Sequence, residues 1–247
     1  MKIACIIPAR LNSSRFPEKL LANVFGKTVL QMTIESALNF FDPNQVFVAT
    51  DNDRIIEHVN QLHVQWIRTS SHCLNGTERI SEALLKIKKF TTLEIIVNLQ
   101  GDHPCTKPET FKKLIESLLL DPTAVMSTVA TPIQTLFDYL SPHVVKVVKD
   151  LQNNALYFSR SPIPYSKDKL PENALQHIGL YCFRKDFLLK YPHLPSTNLQ
   201  MMEDLEQLKA LENGEKIKVA VVLEKAIGVD TPEDLQNLKS HIQRVFT

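Results

Sequence analysis

Near the start of the chain, Pro8-Ala9-Arg10-Leu11-Asn12-Ser13-Ser14-Arg15-Phe16-Pro17-Glu18-Lys19 gathers three cations and two hydroxyls on one loop. Guanidinium, ammonium, hydroxyl and free backbone amide groups together can hold a triphosphate, through charge-assisted hydrogen bonds. The Gly-x4-Gly-Lys frame of a Walker loop is absent, and a solvated basic loop has the same composition. Asp102 ends Gln100-Gly101-Asp102 directly after an apolar run, where a carboxylate can hold Mg²⁺ against phosphates or simply cap a turn. Asp230, in Gly228-Val229-Asp230-Thr231-Pro232, offers the same carboxylate or a cap for the last helix. A third set follows in the second half: Arg160, His177, Tyr181, Glu203, Glu206 and Gln207. On one helix, 203 and 207 share a face with 206 beside them; that face either accepts hydrogen bonds from sugar hydroxyls or is an ordinary solvated one. His103 and Cys105 have no second ligand pair nearby, which argues against zinc.

The elements that must position these groups can be read from apolar runs and caps. Ile3–Ile7 is a buried first strand ended by Pro8, followed by the basic loop and a helix from about Thr28 to Phe41. Strands over Gln45–Thr50 and Val64–Arg68 flank a helix capped by Asp51 or Asn52 and running to Leu62. Glu78–Phe90 is helical, Glu94–Leu99 is a strand, and Pro108 opens the next helix. This alternation predicts an α/β fold, a mostly parallel sheet with helices on both faces. From about residue 125 the pattern changes. Val125–Thr131, Val144–Lys149, Ala155–Ser159 and His177–Phe183 read as strands with little helix between them, an antiparallel subregion inserted at about 130–200 in one 1–247 domain. A helix over Leu199–Glu212, a strand over Lys216–Leu223 and a last helix begun by Thr231, Pro232 and Asp234 complete the chain.

Composition narrows the function. With 247 residues, 44% hydrophobic and 22% charged, the chain can bury a full core without staples. A net charge of +1 gives no global field for nucleic acid or membrane, yet residues 1–34 carry five cations against Glu18 alone. That local imbalance points to a small anionic ligand. Four cysteines without a CxxC pair suggest reduced thiols, and no apolar run spans a bilayer, so the expected location is the cytoplasm. Only six glycines occur, where average usage gives about seventeen, so each marks a sharp turn or a close approach.

Taken in order, the segments resemble one family. They are Ile6-Ile7-Pro8-Ala9-Arg10, Ser14-Arg15-Phe16-Pro17, Gly76-Thr77-Glu78-Arg79, Val97-Asn98-Leu99-Gln100-Gly101-Asp102, Val145-Lys146-Val147-Val148, Leu156-Tyr157-Phe158-Ser159-Arg160, His177-Ile178-Gly179-Leu180-Tyr181, Leu205-Glu206-Gln207-Leu208, Gly214-Glu215-Lys216-Ile217 and Gly228-Val229-Asp230-Thr231-Pro232-Glu233-Asp234-Leu235. Over essentially its whole length the chain is similar to the 3-deoxy-manno-octulosonate cytidylyltransferase (CMP-Kdo synthetase) family. The resemblance implies a nucleotide-diphospho-sugar transferase fold and a homodimer formed largely through the inserted region. It also implies transfer of CMP from CTP to Kdo for lipopolysaccharide biosynthesis, with Mg²⁺ as cofactor. By the same resemblance Arg10, Ser14, Arg15 and Lys19 match the triphosphate loop, and Arg79 and Gln100 match nucleotide-side positions. Lys19, Asp102 and Asp230 match catalytic positions, with the two aspartates on the metal. Arg160, His177, Tyr181, Glu206 and Gln207 match the sugar pocket, Arg160 facing the sugar carboxylate.

The chain departs from that pattern in three places. The family usually has glycine where Glu18 stands, glutamate where His103 stands, and an acidic residue where Gln200 stands. Cytidylyl transfer to another acidic sugar (a sialic acid or an amino-substituted Kdo) is the nearest alternative activity. A catalytically silent nucleotide-binding homologue is the alternative from another class; the retained Asp102 and Asp230 speak against it.

Overall fold

The apolar run Ile3–Ala9 forms β1 in the computed structural model of the chain. The structure describes all residues except 1, 12, 14, 89, 168, 224–226 and 247, and the side chains of 90, 245 and 246. A two-strand hairpin, β2 (Asn23–Val24) and β3 (Lys27–Thr28), leads into α1 (Val29–Leu38). Then come β4 (Val46–Thr50), α2 (Asp53–Gln61), β5 (Gln65–Arg68), α3 (Gly76–Lys86) and β6 (Ile95–Leu99). They are followed by α4 (Pro108–Leu119), β7 (Met126–Pro132), α5 (Leu136–Leu140), β8 (Lys146–Lys149), β9 (Ala155–Ser159) and β10 (Leu175–Arg184). Three short helices, α6 (Lys185–Lys190), α7 (Asn198–Glu203) and α8 (Glu206–Glu212), precede β11 (Ile217–Val221) and the closing α9 (Pro232–Phe246). Two compact units result, one of Met1–Pro108 with Ala226–Thr247, the other of Glu109–Lys225.

The first unit is the α/β half expected from the alternation. β1 pairs in parallel with both β4 and β6, and β5 joins the far side of β4. β4 and β6 are buried at every position and β1 at all but its first, as strands covered on both faces must be. Pro8 stays inside β1 rather than ending it, and the polar loop after it contains the β2–β3 hairpin that the sequence pattern did not reveal. That hairpin turns on Phe25 and Gly26, both at positive φ. Val24 and Val29 pack there against Val229, Leu235 and Leu238, which ties the chain's last segment to its first loop.

In the second unit β7 runs antiparallel to β10 and parallel to β11, while β8 pairs antiparallel with β10 and β9. The antiparallel subregion is therefore present, but with short helices α5 and α6 that the strand-only expectation missed. Register slips between Ile178 and Tyr181, a bulge into which Thr128 sends its hydroxyl. The single helix expected over Leu199–Glu212 is two. Asp204 takes a left-handed conformation (φ 51°, ψ 53°) that terminates α7, and Leu205 starts α8. Glu203 and Gln207 consequently do not share a helical face, and the i,i+4 argument for that face is withdrawn.

One local feature is pH-sensitive. Thr28 caps α1, accepting from the Gln31 N–H at 3.0 Å, and its hydroxyl meets His58 Nε2 at 2.7 Å. A hydroxyl that accepts from one N–H still has its own proton to donate, and a neutral His58 ring with Nε2 unprotonated accepts it. Burial lowers the His58 pKa, so the fold favours the neutral ring. The resulting stabilisation is complete above the unfolded value of about 6.5 and is lost as pH falls below it toward the folded value. His58→Asn, which keeps an acceptor but cannot titrate, should decline less in stability between pH 7.5 and 5.5 than the wild type in urea unfolding.

Candidate active site

The carboxyl ends of β1 and β6 bring the first set of residues together. After β1 the loop turns back, the Glu18 N–H bonding to Leu11 O at 3.1 Å, and the Lys19 side chain points inward. Its Nζ donates to Asp102 Oδ2 at 2.5 Å and to Asp230 Oδ1 at 2.7 Å. Arg15 Nη2 lies 3.2 Å from the other oxygen of Asp230. Asp102 follows β6 through Gly101, where a Cβ would come within 3.1 Å of the Pro8 carbonyl oxygen and crowd Leu20. Only glycine lets the β6 end lie this close to the basic loop. The Val229 N–H bonds to the Asp102 carbonyl at 3.0 Å, which fixes Asp230 beside Asp102 despite their separation in sequence.

Two alternatives left open by the sequence close here. Asp230 is not the cap of α9. Thr231 Oγ1 accepts from the Asp234 N–H, and Asp234 Oδ2 accepts in return from the backbone N–H groups of Asp230 and Thr231. The Asp230 carboxylate is left to Lys19 and Arg15. Lys19, for its part, belongs to no solvated loop face, since its side chain is only 11% exposed. Burial opposes its charge, but Asp102 and Asp230 outweigh that cost and raise its pKa. The Asp230 pKa is lowered: burial acts against it, and Lys19 and then Arg15 overcome the penalty. The cluster is thus a lysine cation between two carboxylates. Two carboxylates can hold a divalent ion whose remaining positions are filled by ligand or water oxygens; among the described residues no group of three His, Cys, Asp or Glu could hold a metal. His103 Nε2 stands 3.7 Å from Asp102 Oδ1, at the edge of this cluster.

The other nucleotide-side candidates differ in role. Arg10 donates from Nη2 to the Cys73 carbonyl at 2.6 Å, which aims its guanidinium. Sequence reasoning missed the residue that shapes that loop: Glu82 accepts from the Ser70 N–H at 3.0 Å and from the Cys73 thiol at 3.2 Å. Burial and then the Glu82 bond push the Cys73 thiol up to about 11, so it stays protonated. Gln100 lies over Gly76, where an added Cβ would meet its amide at 3.0 Å, and it donates to Asn98 at 3.4 Å. Ser14 lies outside the described residues. Arg79, expected on the nucleotide side, has a side chain only 1% exposed, with Nη1 on Asp51 at 3.1 Å and on Thr69 Oγ1 at 2.6 Å, while its buried Nε has no hydrogen-bond partner. Its contribution is to lock the start of α3 against the end of β4.

The sugar-side candidates all belong to the second unit. Arg160 donates from Nε to Glu203 O, from Nη1 to Pro142 O and from Nη2 to Asp204 O. A guanidinium has five N–H donors, so the fork keeps capacity for a carboxylate while its position is held. Glu203 accepts from Ser159 Oγ at 2.5 Å and from the Arg160 N–H at 2.8 Å, an anchoring role rather than a pocket face. Lys146, also missed, is fully buried and caps the carbonyls of Ser141, Val144 and Arg160. A lysine within the apolar run Val145–Val148 was its only signal. His177 meets Thr128 Oγ1 through Nε2 at 2.9 Å, and its ring lies against Phe158 and Tyr181. Tyr181 donates to Gln207 Oε1 at 3.0 Å; burial raises its pKa well above the usual range, so it is a neutral donor. Gln207 Nε2 is buried without a partner, an unspent donor beside these groups. Glu206 opens α8, and its carbonyl accepts from Tyr191.

The Arg79–Asp51 pair yields a stability prediction. Asp51→Ala strands a buried guanidinium and should cost about 3 kcal/mol, at the low end of breaking a buried pair, because Thr69 remains. Arg79→Met leaves Asp51 able to hydrate and should cost less. Urea denaturation of both variants checks the order.

Relatives share this chain over nearly its full length. The cytidylyltransferase family profile matches residues 4–217. A 3-deoxy-manno-octulosonate cytidylyltransferase of Protochlamydia amoebophila is 44% identical, covering 96% of this chain and 93% of the relative. One from Geobacter sulfurreducens is 43% identical, covering 96% and 98%. A solved structure of CMP:2-keto-3-deoxy-manno-octonic acid synthetase complexed with CTP superposes with a TM-score of 0.90 at 34% identity, covering 99% of each chain. The chain belongs to the cytidylyltransferase family, and within it to the 3-deoxy-manno-octulosonate cytidylyltransferases.

Proposed function

We propose that the protein transfers CMP from CTP to 3-deoxy-D-manno-octulosonate (Kdo), releasing pyrophosphate, in the cytoplasm and in the service of lipopolysaccharide biosynthesis. The observation that carries this reading is the Lys19–Asp102–Asp230 cluster beside the basic loop, in a chain of this family. The anomeric hydroxyl of the sugar attacks the α-phosphorus of CTP. A new O–P bond forms as the bond to the β-phosphate oxygen breaks, and the hydroxyl proton leaves to solvent. Such a step needs mainly alignment and charge neutralisation.

Arg10, Arg15 and Lys19 bind the triphosphate oxygens in this reading, and Gln100 lies on the nucleotide side. Asp102 and Asp230 hold Mg²⁺, which when bound supplies positive charge against the phosphate oxygens and the leaving pyrophosphate. Their convergence on one cationic nitrogen supports this, because it places two carboxylates within reach of a single centre of positive charge. Arg160 takes the sugar carboxylate, while His177, Tyr181, Glu206 and the free amide of Gln207 meet sugar hydroxyls. None of the chain's four cysteines is in a disulfide, and among the described residues no helix is long and apolar enough to cross a membrane. A homodimer formed through the second unit accounts for the exposure of Phe137, Tyr165 and Met202, each above 80%.

Pyrophosphate release from CTP with Mg²⁺ across a panel of acidic sugars tests the activity. Kdo should turn over and neuraminic acid should not; comparable rates would refute the acceptor assignment. Arg160→Ala should raise the KM for Kdo on the order of 10- to 100-fold, the scale of a charge-assisted bond, and leave that for CTP unchanged. Asp102→Asn and Asp230→Asn should each fold normally yet lower kcat by about 10²-fold or more at saturating substrates, as loss of a preorganised electrostatic partner does. A folded variant with near-normal turnover would remove that aspartate from the metal. For the dimer, Phe137→Glu should shift the sedimenting species toward the monomer.

A further inference from the structure

Glu18 takes a left-handed backbone conformation, φ 57° and ψ 20°, immediately before Lys19. A side chain at this φ clashes with its own backbone, so the turn is intrinsically unfavourable for glutamate. The turn is nevertheless the device that aims Lys19. Leu21 N–H returns to Glu18 O at 2.9 Å and Lys19 N–H to Phe16 O at 3.3 Å, and the next side chain reaches Asp102 and Asp230.

The Glu18 carboxylate is held by both terminal nitrogens of Arg54, with Nη2 at 3.0 Å from Oε2 and Nη1 on Oε1. This fork lowers the Glu18 pKa, the hydrogen bond to Arg54 being the largest cause. Arg54 lies in the first turn of α2, a poor place for a cation because the helix dipole is positive there. Its position gives α2 no electrostatic benefit and is accounted for by its partner. The rest of α2 is fixed by buried Ile55, Ile56 and Val59, so the fork ties an unfavourable loop turn to a firm element.

We infer that Glu18 and Arg54 are positioning residues for Lys19: their ion pair holds the left-handed turn that delivers the lysine to its two carboxylates. This rests on the reading that Lys19 serves the transfer. Both side chains are about half exposed, so the pair is open to screening by salt.

The test compares Arg54→Met, the double variant Arg54→Met/Glu18→Gly, and wild type by steady-state turnover of CTP and Kdo with saturating Mg²⁺ and KCl from low to high. Arg54→Met should lower kcat on the order of 10-fold, within the cost of a slightly misplaced catalytic group, and leave the KM for Kdo unchanged. The double variant should regain most of that loss, because glycine adopts the left-handed turn unaided. The kcat of wild type should decline as KCl rises, and that of the double variant should not. Full activity in Arg54→Met overturns the inference, as does a double variant no better than the single one. A raised KM for CTP in both variants would instead make Arg54 a direct nucleotide ligand, which also overturns it. Lys19→Met separates the underlying reading: if that variant keeps normal turnover, the role of Lys19 itself is wrong, whatever Arg54 does.

Discussion

A lysine between two aspartates is the constraint on which the first unit's architecture depends. Asp102 and Asp230 without a cation would repel, and one would tend to take up a proton. Lys19, placed between them, removes that penalty. Several otherwise unrelated features serve this meeting. The glycine at 101 admits the loop, the Val229–Asp102 backbone bond brings the last segment in, and the hairpin packs on α9 through Val24, Val29, Leu235 and Leu238. The closing helix contributes by capping itself with Thr231 and Asp234, so that the neighbouring carboxylate is not consumed. Electrostatics of this strength in a mostly buried lysine also needs a fixed approach, and the turn at Glu18 supplies its direction.

A second theme is that cations are aimed by backbone carbonyls. Arg10 is held by Cys73 O, Arg160 by the carbonyls of Glu203, Pro142 and Asp204, and Lys146 by three more. A carbonyl partner orders a long side chain without neutralising it; Arg160 keeps N–H donors for an anion, whereas the three carbonyls on buried Lys146 use all of its donors and make it a structural residue. Carboxylate partners would neutralise the charge. Guanidinium–carboxylate pairs at Arg79–Asp51 and Arg54–Glu18 tie separate elements together, whereas Arg15–Asp230, at 3.2 Å, is such a pair inside the site itself.

The parallel half of the fold was legible because its strands are continuous apolar runs with helical patterns between them, and Asn52, one of the two caps read for α2, does cap it; α3 begins at Gly76, two residues before the expected Glu78, with Asn75 as its cap. What escaped the sequence were features set by a single backbone angle or by distant partners. Asp204 splits a helix whose residues otherwise favour continuity, because its left-handed geometry is sustained by the packing around Arg160 and Glu203 rather than by local propensity. The Phe25–Gly26 hairpin is too short to leave a period-2 pattern. At the site, residue types and order pointed to the Lys19, Asp102 and Asp230 positions, but burial did not follow from type. Arg79 reads in sequence as an early residue of a helix with nothing to mark it as buried, and only the tertiary placement of Asp51 and Thr69 makes it internal.

The second unit shows what binding specificity requires beyond charge. Tyr181 is kept neutral by burial, His177 has its Nε2 engaged by Thr128, and the hydroxyl of Thr128 in turn fills the bulge of β10. At Gln207 the side-chain carbonyl accepts from Tyr181, while the buried amide nitrogen is left without a partner. An unpaired buried donor costs folding free energy, roughly 1–3 kcal/mol, unless a ligand accepts from it. The network therefore ends on a donor that a hydroxyl or carboxylate oxygen would satisfy and an apolar group would not. A site built this way discriminates by leaving its own donor unpaired when the wrong molecule enters.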